Sequence, residues 1–492
     1  MSKALHEDVR KKYILFGVVL FIAIVLRFIR YNERWALAYD QARDAIIAQE
    51  VLHGKPMPAT GPFSSAGEFT TGPVWYWFVV AATAIYPRAV MTPWVVLTAL
   101  FVLSVFLLME TGFIIGGTPL SILLGLFAAV SPAQIEQGFN LTNPSLVSVF
   151  SFIILWAGIT YLKSDNLATL IILGVSIGCA VTTHYQAAML LFFVCIIFIL
   201  RRPRLIHLII FAIGAAIPFI PLIRFDITHG YFNYRGIIDY LRFGQYRVYI
   251  PNRWLTHLGV FLPHLWSIVV GGRSVAAYIL MTTVAVSIGI AGYLRLFTPY
   301  SASVLLGLIF MIAGLRYYRG ERFDGYFVFL HPFILTVSAW AVWVIYTKQK
   351  IAGIILAGVV IIGGLCIVIP SIFNSKNWTL WRVKQGIAAL TSKYPKETFN
   401  LFEYNAQGTT NSVAVVLCLS HAGKISSSGH KIGFGHAPRP QQNSLYSLIP
   451  NNTSGFDFWD IDTIPENVFK NDKWENINPE SIYRYVAQWY RK

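Results

Sequence analysis

The segment RYNERWALAYDQARD, from Arg30 to Asp44, follows the first long apolar run of the chain, Tyr13–Ile29. It places Asp40, Arg43 and Asp44 a few residues beyond that run. Acidic residues next to a membrane span are costly to accommodate and usually have a functional role. The segment therefore predicts a membrane protein with chemistry at the membrane surface.

The composition agrees with this interpretation. Of 492 residues, 55% are hydrophobic and 13% are charged, and the mean hydropathy is +0.57. Apolar runs of about 17 to 25 residues fit the hydrocarbon core of a bilayer as helices, since lipid offers the backbone no hydrogen bonds. We predict an all-α polytopic domain of about 11 to 13 transmembrane helices, with runs at residues 13–30, 93–111, 118–133, 144–162, 166–183, 187–200, 205–223, 275–294, 300–315, 325–346 and 351–370.

The basic residues indicate a lipid partner. The formal net charge of +16 is spread over loops between the spans and does not form one basic domain, so anionic lipid heads and phosphate-bearing lipids are favoured over nucleic acid. The charged start of the chain resembles a signal peptide, but no small-residue cleavage site precedes Arg27, which predicts an uncleaved first helix. The four cysteines predict no disulfide or metal framework.

The topology depends on the short apolar segment 74–88, which has only about 14 apolar residues and many aromatic side chains. If it crosses the bilayer, the basic loops at Lys163, Arg201–Arg204 and Lys348–Lys350 lie outside. If it stays at the surface, these loops lie inside with the basic N-terminus. The positive-inside rule favours the second topology. One loop departs from the rule by facing outward with Arg316, Arg319 and Arg322.

The predicted domains follow from this topology. Residues 1–370 form a multi-pass transmembrane domain with a first outer loop at 31–92 and a long outer loop at 224–274. Residues 371–492 are richer in Asn, Ser, Gly, Asp and Lys and form a small extracytoplasmic α/β domain. Its predicted elements are a helix at Trp378–Ser392, a strand at Thr398–Tyr404 and a helix at Asn411–His421.

Asp40 is the first candidate for catalysis. It precedes a predicted amphipathic helix, Ala42–Leu52, and a carboxylate there could accept a proton from an attacking hydroxyl. Asp is also a favoured helix N-cap, and position alone favours the cap, although one residue can fill both roles. Arg43 and Asp44 in the same run are candidates for substrate binding.

The other short outer loops supply hydrogen-bonding side chains. A loop rich in Gly and Ser can approach a ligand closely, and three polar side chains at a tight turn can bind a phosphate or a sugar. Plain solvation, or an aromatic belt with a satisfied histidine, explains them equally well. The candidates in these loops are Glu68, Glu136, Asn140, His184, Tyr185 and Gln186.

The long outer loop adds arginines. Arg224 and Arg235 stand among tyrosines, and Arg322 lies in a later outer loop. Arginine at a membrane boundary binds phosphate through its planar fork of donors, but such side chains also snorkel to lipid heads. No GxxxxGK[ST], GxGxxG or HExxH motif occurs in the sequence, which disfavours nucleotide hydrolysis and zinc-protease chemistry.

Several of these segments together resemble a known family. They are YDQA at Tyr39–Ala42, EVLHG at Glu50–Gly54, GPVWY at Gly72–Tyr76, the loop Ser131–Pro144, and ERFDGYF at Glu321–Phe327. In placement they are similar to the GT-C glycosyltransferases of the protein-mannosyltransferase and aminoarabinose-transferase type. The resemblance covers mainly residues 13–200.

The resemblance implies an enzyme of the cell inner membrane that moves a sugar from a polyprenyl-phosphate donor to a glycan, lipid or protein acceptor on the outer face. Asp40 matches the family's first-loop aspartate and would be the base of an inverting single displacement. Glu136 is the candidate for the second acidic residue. Phosphate-binding residues map loosely onto Arg224, Arg235 and Arg322, and the late-loop motif adds Tyr326. Carboxylates near a phosphate could also hold Mg²⁺ or Mn²⁺.

Two other functions stay open at this point. A transporter or flippase of a lipid-linked sugar would bind the same ligand without bond chemistry, but such proteins tend to show internal repeats and broken spans at the midplane. An enzyme resembling an O-antigen ligase or polymerase would place its chemistry on the long outer loop around 224–274.

Overall fold

The computed structural model describes residues 3–244, 253–271, 274–318, 322–374, 378–404, 410–435, 447–449, 457–462 and 474–488. Its first part is a helical bundle, which confirms the predicted all-α membrane fold. The helices of this part are α1 Lys3–Phe28, α2 Tyr31–Arg34, α3 Tyr39–Leu52, α4 Val74–Ile85, α5 Thr92–Ala129, α6 Pro132–Phe139, α7 Asn143–Ser164, α8 Leu167–Thr183, α9 Leu191–Arg201, α10 Leu205–Ala216, α11 Ile220–Thr228, α12 Phe232–Arg242, α13 Arg253–Thr256, α14 Leu262–Val269, α15 Ser274–Tyr293, α16 Pro299–Leu315, α17 His331–Lys348 and α18 Lys350–Asn374.

Within the described residues, 6 helical stretches are long and apolar enough to cross a membrane, and shorter apolar helices lie at Val74–Ile85, Leu167–Thr183, Tyr185–Arg201, Pro299–Leu315 and Ser412–His421. The long stretches begin at Thr92, Asn143, Leu205, Val275, Asp324 and Lys350. They coincide with apolar runs predicted from the sequence.

The longest helix, α5, reverses direction at a glycine pair. Gly117 has a φ of 72°, which glycine adopts without strain, and Gly116 is also outside the helical region. The hydroxyl of Ser121 donates to the carbonyl oxygen of Met109 at 2.6 Å. Residues 12 apart in a straight helix are about 18 Å apart, so α5 is two antiparallel helices. This agrees with the separate runs predicted at 93–111 and 118–133.

Polar contacts join α1 to α5 at both ends of this hairpin. Near the glycine reversal, the Lys12 ammonium lies 3.0 Å from the Glu110 carboxylate. At the opposite end, the buried Arg27 guanidinium donates to the carbonyl oxygens of Ala128 and Ala129 at 3.2 and 3.1 Å. These carbonyl oxygens lie at the C-terminal end of α5, where they have no partner within their own helix. The Arg27 guanidinium supplies hydrogen bonds to them, and its positive charge interacts favourably with the helix dipole.

The segment α4 lies at the same end of the bundle as α3, here called the α3 end. Its 12 residues span about 18 Å, too short for a bilayer core of about 30 Å. At its start, Trp75 contacts Asp44 of α3. Just after its end, the carbonyl of Arg88 accepts from His421, whose other ring nitrogen accepts from Gln49 of α3. Both ends of α4 therefore contact neighbours at the α3 end, as expected for a surface segment.

The second part of the chain forms a five-stranded sheet with helices. In order, its elements are α19 Trp378–Lys393, β1 Phe399–Tyr404, α20 Thr410–His421, β2 His430–Gly435, β3 Ser447–Ile449, β4 Asp457–Asp460, β5 Trp474–Asn476 and α21 Pro479–Gln488. The strand order is β3-β4-β2-β1-β5, with β1 and β2 parallel and the other pairs antiparallel. The first three elements lie within one or two residues of the predicted ones.

This second part packs on the α3 end. Helices α20 and α21 both contact α3. The Tyr483 hydroxyl donates to the carbonyl oxygen of Pro56 at 2.7 Å, and the Lys55 ammonium lies 3.4 Å from the Glu480 carboxylate. Thus α3 is held between the bundle and the sheet region.

This arrangement predicts the outcome of cysteine labelling in a background without native cysteines. Arg88→Cys, after α4, and Ser427→Cys, in the sheet region, should react with an impermeant thiol reagent from the same side of the membrane. Arg204→Cys, between α9 and α10, should react only from the other side. All three residues are exposed. If Arg88→Cys instead labels together with Arg204→Cys, then α4 crosses the membrane.

Candidate functional site

A cavity of about 910 Å³ opens at the α3 end. Its walls come from the start of α3, the loop before α4, helix α6, the turn after α8, helix α12 and the segment between α16 and α17. Eight of the candidates from the sequence line it: Asp40, Arg43, Glu136, Asn140, His184, Tyr185, Gln186 and Tyr326.

The other five candidates are not part of the lining: Asp44 and Arg322 lie next to it, and three others lie on the exposed surface. The side chains of Glu68, Arg224 and Arg235 are exposed outside it. For Arg235 the reason is helical periodicity, because α12 turns Ile237, Tyr240 and Leu241 toward the cavity. At 100° per residue, Arg235 then points to the opposite face.

Asp40, Arg43 and Asp44 form a charged network at the start of α3. Arg43 contacts Asp40 through Nη1 and Asp44 through Nε, each at 2.8 Å. Asp44 also accepts from Trp75 Nε1 at 2.7 Å and from the Tyr76 hydroxyl at 3.3 Å. Burial opposes the charge of Arg43, but the two carboxylates outweigh it and raise the pKa of Arg43.

The two carboxylates of this network have different positions. The Asp44 side chain is 2% exposed and bonded on both oxygens, whereas the Asp40 side chain is 63% exposed toward the cavity. Asp44 is therefore a structural anchor behind the lining, and Asp40 is available to a ligand. The cap interpretation of Asp40 was wrong, because α3 begins at Tyr39 and its N-cap is Ala38 without a side-chain hydrogen bond.

Glu136 on α6 also lines the cavity. Desolvation and the nearby Asp324 carboxylate raise the pKa of Glu136. Asp324 in turn lies 3.0 Å from His264 Nε2. Gln41 links α3 to the end of α6, because its Nε2 donates to the side-chain Oδ1 of Asn140 at 2.5 Å.

The turn after α8 carries three lining residues, His184, Tyr185 and Gln186, which contact other walls of the cavity. The ring of His184 lies beside that of Tyr326, with centroids 5.1 Å apart, and burial lowers the pKa of His184 to about 4. The imidazole is therefore neutral at pH 7. The Tyr185 hydroxyl donates to the carbonyl of Thr70 at 2.8 Å, and Gln186 donates to the Tyr318 hydroxyl at 3.2 Å.

An arginine cluster adjoins the cavity next to Tyr318 and Phe323. Desolvation and the like charges of Arg253 and Arg316 lower the pKa of Arg322. Arg322 Nη1 donates to His257 Nδ1 at 3.0 Å, while Arg322 Nη2 and Arg316 Nε are buried with no hydrogen-bond partner among the described residues. Buried donors of this kind are suited to an anion. Arg319 and Glu321 lie outside the described residues.

The polar residues of this region that were not among the candidates from the sequence include Gln41, Gln134, Asp324 and His331. Asp324 stands in the late-loop motif, and His331 begins a helix of mostly buried residues. Within the described ranges, no group of three or more His, Cys, Asp or Glu side chains is arranged to hold a metal ion. We therefore assign no step to Mg²⁺ or Mn²⁺.

Comparison with known proteins shows a shared fold. No protein-family model matches the chain, and no curated protein matches it. The structure of ArnT from Cupriavidus metallidurans in the apo state aligns with a TM-score of 0.58 at 11% identity, covering 93% of this chain and 98% of ArnT. ArnT bound to undecaprenyl phosphate aligns with a TM-score of 0.59 at 11% identity, covering 91% and 97%. The chain thus has the fold of ArnT, as the resemblance to aminoarabinose transferases implied.

A weaker similarity is to an archaeal protein. The oligosaccharyltransferase AglB from Archaeoglobus fulgidus, in complex with an inhibitory peptide and a dolichol-phosphate, aligns with a TM-score of 0.49 at 11% identity. The alignment covers 86% of this chain and 69% of AglB.

The unequal positions of the two aspartates predict unequal effects on stability. Asp44→Asn should lower the free energy of unfolding by roughly 3 kcal/mol or more, because it leaves the largely buried Arg43 with a single, exposed carboxylate. Asp40→Asn should change it by less than about 1 kcal/mol. Thermal unfolding of the purified protein in detergent measures both variants. Equal losses would mean that the anchoring role of Asp44 is wrong.

Proposed function

We propose that this protein is a membrane glycosyltransferase that takes a sugar from a polyprenyl-phosphate carrier and passes it to an acceptor hydroxyl at the α3 end. The observation that carries the proposal is the exposed Asp40 carboxylate in a cavity next to Arg316 and Arg322, each of which has a buried N–H donor without a hydrogen-bond partner among the described residues. The overall fold is that of ArnT, which has been solved with undecaprenyl phosphate.

The arginine cluster would bind the phosphate of the carrier. Arg316 Nε and Arg322 Nη2 are the buried donors without a hydrogen-bond partner among the described residues, and Arg253 adds a third positive charge. The surface next to them is apolar and exposed at Leu255 and Val260. A polyprenyl tail could lie there in the lipid while its phosphate contacts the guanidinium groups.

The proposed reaction is a single displacement. Asp40 accepts the proton of the acceptor hydroxyl, and the resulting oxygen attacks the anomeric carbon of the sugar. The bond from that carbon to the phosphate oxygen breaks, and its electron pair leaves with the polyprenyl phosphate. Arginines at the phosphate neutralise the charge that develops there. Attack from the side opposite the leaving group inverts the anomeric centre.

The rest of the network prepares Asp40 for this role. Arg43 fixes one oxygen of Asp40 at 2.8 Å, which leaves the other oxygen for the acceptor. Glu136 and Asp324 also line the cavity, where they would contact the sugar or the acceptor. The proposal includes the predicted location, an inner membrane with the α3 end and the 371–492 domain on the extracytoplasmic side.

Replacing Asp40 tests the chemistry. In proteoliposomes, Asp40→Asn should reduce release of undecaprenyl phosphate from undecaprenyl-phosphate sugars by at least about 100-fold, because the base is lost. The assay uses glucose, mannose, arabinose and N-acetylglucosamine donors with cell-envelope extract as acceptor. The matched control is Asp239→Asn on the exposed part of α12, which should behave as wild type. Sugar transfer by Asp40→Asn at the wild-type rate would exclude this mechanism, and translocation without any bond cleavage would indicate a flippase.

Replacing Arg322 tests the phosphate site. Arg322→Gln should weaken binding of undecaprenyl phosphate by about 10-fold or more, since it removes charge-assisted hydrogen bonds. Binding is measured by titration of the protein in nanodiscs. Arg235→Gln, which alters an exposed arginine outside the cavity, should leave the affinity unchanged. If Arg235→Gln weakens binding and Arg322→Gln does not, the phosphate lies on the long outer loop, as in a ligase-like enzyme.

A further inference from the structure

A histidine that the proposed reaction does not use lies at the cavity. His331 is the first residue of α17, is 1% exposed and lines the cavity. Its Nδ1 accepts from Gln134 Nε2 at 2.6 Å. A neutral imidazole that accepts at one nitrogen carries its proton on the other, so Nε2 of His331 is a hydrogen-bond donor.

This donor has no hydrogen-bond partner among the described residues. Nε2 of His331 is buried and makes no hydrogen bond within the part of the chain that the structure describes. His257, by contrast, uses both ring nitrogens, one for Arg322 and one for the carbonyl oxygen of Ile312. Unpaired buried donors are rare in native proteins and call for a specific explanation such as a ligand.

A second unpaired atom lines the same cavity. Gln41 is 5% exposed, and its amide nitrogen donates to Asn140, but its oxygen has no partner among the described residues. His331 thus offers an uncharged donor and Gln41 an uncharged acceptor. Hydroxyl groups both donate and accept, so they satisfy each of these atoms. A phosphate cannot donate to Gln41 when ionised, and it has the arginine cluster instead.

We propose that His331 and Gln41 recognise hydroxyl groups of the transferred sugar. Nε2–H of His331 donates to one sugar oxygen, and Oε1 of Gln41 accepts from a sugar hydroxyl. Gln134 is a positioning residue, because it keeps the proton of His331 on Nε2. The proposal rests on the proposed function and adds the part of the site that distinguishes a sugar-bearing carrier from the bare lipid phosphate.

The test compares two kinds of lipid on the full chain in nanodiscs. One is undecaprenyl phosphate, and the other is undecaprenyl phosphate bearing glucose, mannose, arabinose or N-acetylglucosamine. The measured quantity is the ratio of the affinity for the best sugar-bearing lipid to the affinity for the bare lipid. His331→Phe keeps a flat ring but removes the donor, and it should lower this ratio by about 5- to 20-fold. Affinity for the bare lipid should stay within about twofold of wild type.

Two further variants separate recognition from folding. Gln134→Met should lower the ratio less than His331→Phe, because the donor remains but its tautomer is no longer fixed. The control His229→Phe makes the same exchange outside the cavity lining and should leave the ratio unchanged. If His331→Phe unfolds, the double variant Gln134→Leu with His331→Phe, which removes both polar partners, replaces it in the comparison.

The outcomes distinguish the two proposals. An unchanged ratio in His331→Phe, or an equal loss of affinity for both kinds of lipid, overturns the role of His331. The role of His331 is also overturned if wild type binds none of the sugar-bearing lipids more tightly than it binds undecaprenyl phosphate. That result would leave the proposed phosphate site intact. Failure of wild type to bind any of these lipids overturns the proposed function itself.

Discussion

The buried carboxylate of Asp44 is the interaction on which the site depends. It accepts hydrogen bonds from Arg43 on its own helix and from Trp75 and Tyr76 on α4. A carboxylate in a dry environment is stable only when its lone pairs are satisfied, so these contacts fix α3 against α4. Asp44 holds Arg43 through Nε, and Arg43 in turn contacts one oxygen of Asp40 through Nη1. The Asp40 carboxylate is thereby oriented while it stays open to the cavity.

Acidic and basic side chains occupy different places around the cavity, and each place suits one part of the proposed reaction. Carboxylates lie on the walls formed by α3, α6 and the segment before α17, whereas the cluster of Arg253, Arg316 and Arg322 lies outside the lining. In the proposed displacement a proton moves toward the carboxylates and an electron pair moves toward the arginines. The neutral residues His184 and His331 also line the cavity and add no net charge to it.

Much of the bundle follows from the sequence, because hydrophobic length and period do not depend on distant contacts. The paired runs at 93–111 and 118–133 and the short segment 74–88 are examples. The orientation of single side chains does depend on packing. From the sequence, Arg235 and Arg322 were equal candidates for binding phosphate. The structure separates them, because α12 turns other residues to the cavity and leaves Arg235 on its exposed face. The burial of Asp44 and the exposure of Asp40 could not be predicted either, because burial depends on elements far apart in the chain. The same is true of the Nε2 donor of His331, which lacks a partner among the described residues.

Helix α3 is held on one side by the bundle and on the other by α20 and α21. The residues that hold it on the second side come from the last hundred or so positions of the chain. Synthesis proceeds from the N-terminus, so the helix bearing the proposed base emerges early and acquires its final support late. A nascent chain that has been synthesised only as far as α18 therefore contains every wall of the cavity but lacks the contacts of α20 and α21 that hold α3 in place.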